Sequence, residues 1–160
     1  MYIRCLDTTT LVPNTLDHRQ SEERAWERLV SAFKYGDCLV TISTSSDMSK
    51  EDEDATGLVP GHAYSVLDVR EAGILKMLQV KNPWSRRPWK GRFSSKDKTC
   101  RWTEGLRKAL SLSSQKQFEA MEKNGVFWIE FGDVRKYFKS FFLNCMYCLN
   151  IYACSIASLF

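Results

Sequence analysis

The stretch "GLVPGHAYSVLDVREAGILKMLQVKNPWS", residues 57–85, decides the fold of the chain. Its "HAYSVLDVR" alternates two sets of side chains, as a half-buried strand does, and "ILKMLQVKN" follows as a second strand. The short "EAG" between them ends in Gly73, a residue that suits a hairpin turn. The stretch therefore predicts an antiparallel hairpin that begins at His62 and ends at Asn82.

The hairpin also predicts which residues meet at its open end. Cross-strand partners lie at equal distances from the centre of a hairpin, and residue 72 lies midway between His62 and Asn82. An amide beside an imidazole fixes the ring's tautomer and leaves the second nitrogen free to pair with a nucleophile. Trp84 could cover the pair and exclude water. The spacing alone leaves a second interpretation open, in which His62 is a half-buried structural histidine and Asn82 a turn residue before proline.

The segments on either side of the hairpin indicate an α+β domain. "SEERAWERLVSAFKYG" predicts an amphipathic helix with Ser21 as its N-cap, Gly36 after its end, and one apolar face. That face carries Ala25, Trp26, Leu29, Val30 and Phe33. The other predicted elements are a strand over 37–44, an acidic surface loop over 45–56, helices over 102–110 and 115–121, a strand over 126–131, and a short helix or turn over 132–141. We expect a twisted antiparallel sheet of five or six strands with short flanking helices.

Composition limits the classes of protein to which the chain belongs. Its 160 residues, 44% of them hydrophobic, suit one soluble globular domain. A net charge of +4 is too small to indicate nucleic-acid binding by itself. The opening "MYIRCLDTTTLVPN" shows no secretory signal, so we expect the six cysteines to be free thiols in a reducing compartment. Cys145 and Cys148 have a zinc-like spacing but no second ligand pair, and we predict no metal site.

Several stretches resemble one protease family. "GHAYSVLDV", "LKMLQVKNPWS", "WKGRFS" and "NGVFWIEFGDV" resemble the second half of the calpain protease core, which belongs to the papain-like Cys-His-Asn superfamily. "GLVPGHAYSVLDVRE", "KYGDCLVTIST" and "KNPWSRRPWKGRFS" are similar to its atypical, PalB-like (calpain-7-like) branch. The resemblance runs from roughly Thr8 to Tyr147. It implies that 1–147 is the C-terminal half of a calpain-type catalytic core, a β-rich papain-like lobe, and that 148–160 is an unmatched apolar tail.

The resemblance assigns roles to three residues. It implies that His62 is the general base, that Asn82 orients it, and that Trp84 shelters the bond between them. In such sites a thiolate attacks a peptide carbonyl, and the imidazolium later protonates the leaving amine. The family's cysteine motif is matched nowhere in the sequence, and Cys5 and Cys38 lack its context, so we predict that this chain holds no nucleophile. The expected function is a fragment or short isoform of a calpain-like cysteine endopeptidase, inactive alone, whose partners are a protein or peptide substrate and the missing cysteine-bearing lobe.

The same resemblance makes a prediction about calcium binding. The family positions that hold the ion in this half-domain correspond here to Pro88, Ser95, Asn124 and Val126. Hard cations require several oxygen ligands, some of them charged, and these residues carry no carboxylate. We therefore expect calcium independence and no cofactor.

The tail and the basic segment leave other functions open. Residues 141–160 carry no charge and are long enough to span a membrane, but the resemblance explains their first part as a core strand. We expect a truncated cytoplasmic product rather than a membrane anchor. An alternative is a non-catalytic interaction or regulatory module that binds an extended peptide. Nucleic-acid binding by the basic, aromatic residues 81–102 is less favoured, because the tryptophans are already explained as core and cleft residues.

Overall fold

The computed structural model describes residues 18–34, 38–85, 87–98 and 102–145. Its helices are α1 (His18–Lys34), α2 (Lys50–Thr56), α3 (Glu104–Ala109), α4 (Gln115–Lys123) and α5 (Phe131–Tyr137). Its strands are β1 (Cys38–Thr44), β2 (Ala63–Ala72), β3 (Leu75–Lys81), β4 (Val126–Glu130) and β5 (Phe138–Cys145).

The strands form one antiparallel sheet. Their order is β4-β3-β2-β1-β5, and every neighbouring pair is antiparallel. The helices lie between strands in the sequence, but they connect strands of an antiparallel sheet rather than neighbouring parallel strands, so the predicted α+β class is confirmed. The first part of the apolar segment 141–160 belongs to β5, as expected, and residues 148–160 lie outside the described part of the chain.

The hairpin of β2 and β3 is confirmed, but its predicted register was wrong. The turn is centred between Gly73, whose φ is 66°, and Ile74, because Ala72 pairs with Leu75. An irregularity between Val66 and Asp68 then shifts the pairing by one residue, so that Ser65 pairs with Lys81. Extending this register past the end of β3 places Trp84, not Asn82, opposite His62. The error arose because neither the turn centre nor a bulge is fixed by the alternation of side chains.

Two clusters of buried side chains cover the two faces of the sheet. Leu78 and Val80 of β3 pack in the first cluster with α1, whereas their neighbour Met77 packs in the second. The middle of strand β3 is therefore buried on both faces, which explains why two apolar residues, Met77 and Leu78, are adjacent there. The predicted face of α1 is confirmed, since Ala25, Trp26 and Leu29 are buried and Val30 and Phe33 are partly buried against them.

Two local predictions were wrong. Helix α1 begins at His18, so Ser21 lies inside it and is not its N-cap. Residues 50–56 form helix α2 rather than a loop, because Ser49 caps it by accepting from the backbone N–H of Asp52, and acidic residues fill its positively polarised first turn. Gly36 lies outside the described residues.

Most of the other predicted elements agree with the structure, but residues 138–141, which were predicted as part of a short helix or turn, begin strand β5. Helix α3 is capped by Thr103, and helix α4 runs two residues beyond its predicted end. Strand β4 ends at Glu130, one residue earlier than expected, because Phe131 starts α5. In the part of the chain that the structure describes, no helix is both long enough and apolar enough to cross a membrane.

Candidate functional site

His62 lies in the tight connection that leads into β2. Its backbone is held by Thr44 at the end of β1: the hydroxyl of Thr44 accepts from the His62 N–H at 3.0 Å, and the Thr44 N–H donates to the His62 carbonyl at 3.0 Å. The same hydroxyl donates to the Val59 carbonyl at 2.6 Å. Because Thr44 is itself buried, this arrangement fixes the Cα of His62 relative to the sheet.

The imidazole of His62 lies between two aromatic rings. The ring of Tyr64 meets it edge-on with a centroid distance of 5.1 Å, and the ring of Trp84 covers it at 4.1 Å with a tilt of 35°. Trp84 keeps 60% of its surface exposed, so it covers the histidine from the solvent side. Within the described residues, Nε2 of His62 is buried and has no hydrogen-bond partner. One ring nitrogen is thus withdrawn from solvent while lacking the partner that a buried polar atom normally requires.

Asn82 is buried directly after β3. Its backbone N–H donates to the carbonyl of Gly125 at 2.8 Å, and its side-chain Oδ1 accepts from the backbone N–H of Trp84 at 3.0 Å. This local turn sets the direction in which the Trp84 backbone leaves the strand. Among the described residues no hydrogen bond joins the side chains of His62 and Asn82. The structure brings the rings of His62 and Trp84 together and links Asn82 to the Trp84 backbone.

The turn before β4 approaches Asn82 closely. Gly125 has a φ of 75°, and a Cβ on it would lie 2.7 Å from the Asn82 carbonyl oxygen. Ser85 adds a second link, since its hydroxyl donates to the carbonyl of Asn124 at 2.9 Å. The sequence predicted the Asn124–Gly125 turn but carried no signal that this turn would support Asn82. Only glycine allows the two backbones to come this close.

Tyr64 forms the inner wall of the site. It is almost fully buried, and its hydroxyl accepts from the backbone N–H of Val59 at 2.9 Å. Burial raises the pKa of Tyr64 above its ordinary value, while the Val59 hydrogen bond and the Arg87 charge oppose the shift. The phenol is therefore neutral beside His62 at physiological pH. The sequence placed Tyr64 in the strand but gave it no role in the site, and Thr44 was likewise missed.

The positions that the resemblance links to calcium make other contacts here. The backbone N–H and the hydroxyl of Ser95 donate to the carboxylate of Glu122, and the Asn124 carbonyl accepts from Ser85. Over the described ranges, no three His, Cys, Asp or Glu side chains are grouped so that they could hold a metal ion. Of the cysteines discussed above, Cys38 and Cys145 lie opposite each other in the backbone register of β1 and β5. Cys5 and Cys148 lie outside the described residues.

The aromatic residues of the basic segment are largely enclosed. Trp89 and Phe93 are buried in the two core clusters, and Trp102 packs against Phe118 with a centroid distance of 4.7 Å. These rings stabilise the fold and are not presented for stacking on bases. Trp84 is the exception in this segment, and its accessible ring contacts His62.

Comparison with known proteins identifies the family. The family model described as calpain family cysteine protease matches residues 4–145. The chain belongs to the calpain family. Human calpain-7 is 39% identical over 124 residues, which cover 78% of this chain. The calpain-like protease palB/cpr-8 of Neurospora crassa is 33% identical over 119 residues, or 74% of this chain.

A third relative extends this pattern to plants. The calpain-type cysteine protease DEK1 of Zea mays is 34% identical over 125 residues, which again cover 78% of this chain. These similarities confirm the predicted atypical branch of the calpains. The aligned region spans only 15% of human calpain-7, 11% of the Neurospora protein and 5% of the maize protein.

Proposed function

We propose that this calpain-family chain supplies the general base His62 and the orienting residue Asn82 of a Cys-His-Asn peptidase site. The nucleophilic cysteine comes from a segment other than residues 1–160. Trp84 shields the two side chains from water, and the substrate is a protein or an extended peptide. In this proposal, residues 1–147 act as the second half of a calpain-type catalytic core.

The environment of His62 supports this proposal more than any other observation does. Nε2 is buried under Trp84 and has no hydrogen-bond partner among the residues that the structure describes. Asn82, whose amide is the orienting group in the proposal, is buried at the same end of the hairpin. An amide oxygen that accepts from Nε2–H would satisfy this buried donor and would select the tautomer in which Nδ1 carries no proton. Nδ1 is then the nitrogen that exchanges a proton with the thiol.

The chemistry follows from these roles. Nδ1 takes the thiol proton, and the thiolate attacks the scissile carbonyl to form a tetrahedral adduct. As the adduct collapses to the thioester, the C–N bond breaks and the imidazolium gives its proton to the leaving amine. Water then attacks the thioester, with His62 again accepting the proton, and the thiol is released. Because the Trp84 ring covers His62, a hydrogen bond formed between His62 and Asn82 in the complete site would be protected from competition with water.

Reconstitution with the cysteine-bearing half of a calpain-7 core tests the proposal. We expect the mixture to hydrolyse a fluorogenic peptide, and His62→Ala to lower kcat by at least about a thousandfold, because the general base is lost. Asn82→Ala should lower kcat by roughly a hundredfold, since the imidazole remains but is no longer oriented. His18→Ala is the matched control, because it removes the other histidine of the chain, in helix α1.

The outcomes separate catalysis from the alternative function. Activity that survives His62→Ala contradicts the proposed role of this residue. Stable binding of the cysteine-bearing half or of a peptide, without turnover in the unaltered mixture, favours a non-catalytic interaction or regulatory module.

Calcium independence is part of the same proposal. The Ser95 N–H and hydroxyl are already engaged by Glu122, and none of the four positions compared with the family's calcium ligands carries a carboxylate. We expect a calcium chelator to leave the reconstituted activity unchanged, and calorimetry to detect no micromolar binding of calcium to this chain. We also propose that the protein acts in the cytoplasm, which fractionation of source tissue with an antibody against residues 57–85 would test.

A further inference from the structure

Glu122, in the last turn of α4, is a buried carboxylate whose partner is neutral. Only 8% of its surface is exposed, and both carboxylate oxygens are satisfied by one residue: the Ser95 N–H donates to Oε1 at 2.6 Å, and the Ser95 hydroxyl donates to Oε2. No ion pair to Glu122 occurs among the described residues. A buried carboxylate that lost these donors would be left unsatisfied at substantial cost, so the contact fixes loop 94–97 to the end of α4.

A continuous path of hydrogen bonds joins Glu122 to Asn82. The N–H of Gly125 donates to the Glu122 carbonyl at 2.9 Å, and the Gly125 carbonyl accepts from the N–H of Asn82 at 2.8 Å. Because Gly125 has no room for a side chain against Asn82, a movement of this turn is transmitted directly to Asn82. The route crosses one turn and ends at the residue that follows β3.

The last step of the path reaches the histidine. Oδ1 of Asn82 accepts from the Trp84 N–H at 3.0 Å, and the Trp84 ring lies 4.1 Å from the ring of His62. The 124–125 turn is therefore connected to both candidate site residues, by a hydrogen bond to Asn82 and, through Trp84, by a ring contact to His62.

We propose that Glu122 is a positioning residue for Asn82, and that it acts through the Asn124–Gly125 turn with Ser95 as its anchor. The relevance of this role to catalysis rests on the proposed function of Asn82. Loss of the carboxylate releases loop 94–97 from α4, and the turn then moves more freely. Asn82 loses its fixed position although no atom that it contacts has been removed.

Hydrogen exchange of backbone amides, measured by NMR on the full chain, tests this role. In Glu122→Ala we expect the Asn82 amide to exchange at least about tenfold faster, because its acceptor Gly125 is no longer held in place. Amides of β1 and β2 should change by less than about twofold. The matched control is Glu119→Ala on the same helix, where an exposed carboxylate that contacts Gln115 is removed.

Two further variants make the test specific. Ser95→Ala removes the hydroxyl donor but keeps the N–H, so it should accelerate exchange at Asn82 less than Glu122→Ala does. The double variant should then add little to Glu122→Ala, since both changes break one contact. Glu122→Gln keeps an acceptor for the Ser95 N–H and should restore part of the protection at Asn82.

The exchange rates test the positioning role of Glu122 independently of peptidase activity. Faster exchange confined to Asn82, the 124–125 turn and loop 94–97 supports it. A uniform increase over all sheet amides overturns it, because Glu122 would then act on global stability alone, and an unchanged Asn82 amide overturns it as well. If Glu122→Ala fails to fold, Ser95→Ala decides by the same criterion. Peptidase activity that is insensitive to His62→Ala contradicts the proposed function but leaves the exchange result to decide the role of Glu122.

Discussion

The two ends of the β2–β3 hairpin differ in how closely the rest of the protein approaches them. At the turn end, Ile74 is 98% exposed, and a Cβ on Gly73 would meet no atom of the described residues within 4 Å. At the other end, Asn82 is buried, Gly125 lies against its carbonyl, and Trp84 covers His62. One hairpin thus has a turn whose conformation depends on its own sequence, and an open end that two other segments, β1 and the turn before β4, also contact.

This difference shows where a substitution should matter. In the exposed turn, a mutation changes the free energy of unfolding through the local conformational preference of the backbone. At the site end, a mutation also acts through packing, buried hydrogen bonds and the position of His62. The following pairs of substitutions compare matched residues, one member at a crowded position and the other at an open one.

The two glycines should give the largest contrast. Gly125→Ala should lower the free energy of unfolding by about 3 kcal/mol, because the new Cβ combines an unfavourable positive φ with a clash against the Asn82 carbonyl. Gly73→Ala should cost only about 1 kcal/mol, since its φ is also positive but its surroundings are empty. Urea unfolding followed by tryptophan fluorescence measures both. Equal losses would mean that the crowding at Gly125 is relieved by a small shift of the turn.

Two threonines of β1 should give the next largest contrast. Thr44→Val should cost about 2 kcal/mol, because the hydroxyl that serves His62 N–H and the Val59 carbonyl is lost from a buried position. Thr41→Val lies on the same strand, is partly exposed, and should change the free energy of unfolding by less than about 0.5 kcal/mol. Chemical denaturation measures both. An unchanged free energy of unfolding in Thr44→Val would contradict the inference that the Thr44 hydroxyl holds the His62 backbone in place.

Trp84 and Ile74 compare two exposed apolar side chains. Trp84→Ala should cost about 1 kcal/mol, since its ring contact with His62 is lost, whereas Ile74→Ala should cost nearly nothing. The proton resonances of the His62 ring should also move in Trp84→Ala, because the indole no longer lies over them, and should stay in place in Ile74→Ala. Unmoved His62 resonances in both variants would mean that Trp84 does not cover His62 in solution.

The smallest effect concerns alkaline pH. Burial raises the pKa of Tyr64 above 10.0, so the folded protein holds the phenol proton more tightly than the unfolded chain does. The contribution of this group to stability is complete below that ordinary value and is lost as the pH rises through the pKa of the folded state. Tyr64→Phe should therefore reduce the fall in the free energy of unfolding above about pH 10.

Thermal unfolding measured at a series of pH values, with and without Tyr64→Phe, checks this prediction. The variant should also lose about 1 kcal/mol at neutral pH, because the Val59 N–H loses its acceptor. An identical alkaline slope in both proteins would contradict the assigned role of burial.

The sequence by itself determined the elements whose patterns are local. The apolar face of α1, the two strands of the hairpin with Gly73 between them, the helices α3 and α4, and strand β4 all follow from periodicity and turn chemistry. The motifs around His62, Asn82 and Trp84 also sufficed to indicate the calpain family, because their order and spacing are carried by the chain itself.

The tertiary structure alone decided the features that depend on distant segments. Helix α2 was missed because its acidic sequence has no apolar face; in the structure it begins at the Ser49 cap, and its Glu53 forms an ion pair with the distant Arg87. The register of the hairpin was missed because the turn is centred between Gly73 and Ile74 rather than on Ala72, and because an irregularity beside Leu67 shifts the pairing by one further residue. A repeating pattern in one strand contains no information about such a shift.

The surroundings of the candidate site show the same division. His62, Asn82 and Trp84 could be named from the sequence, but the contacts of Thr44, Tyr64, Gly125 and Glu122 could not. These residues belong to β1, to β2 and to the α4–β4 segment. Their contacts set the distances between the site residues and determine how deeply those residues are buried. Those quantities exist only after the sheet has brought the segments together, because a hydrogen bond or close backbone approach between distant residues leaves no periodic trace in a single chain.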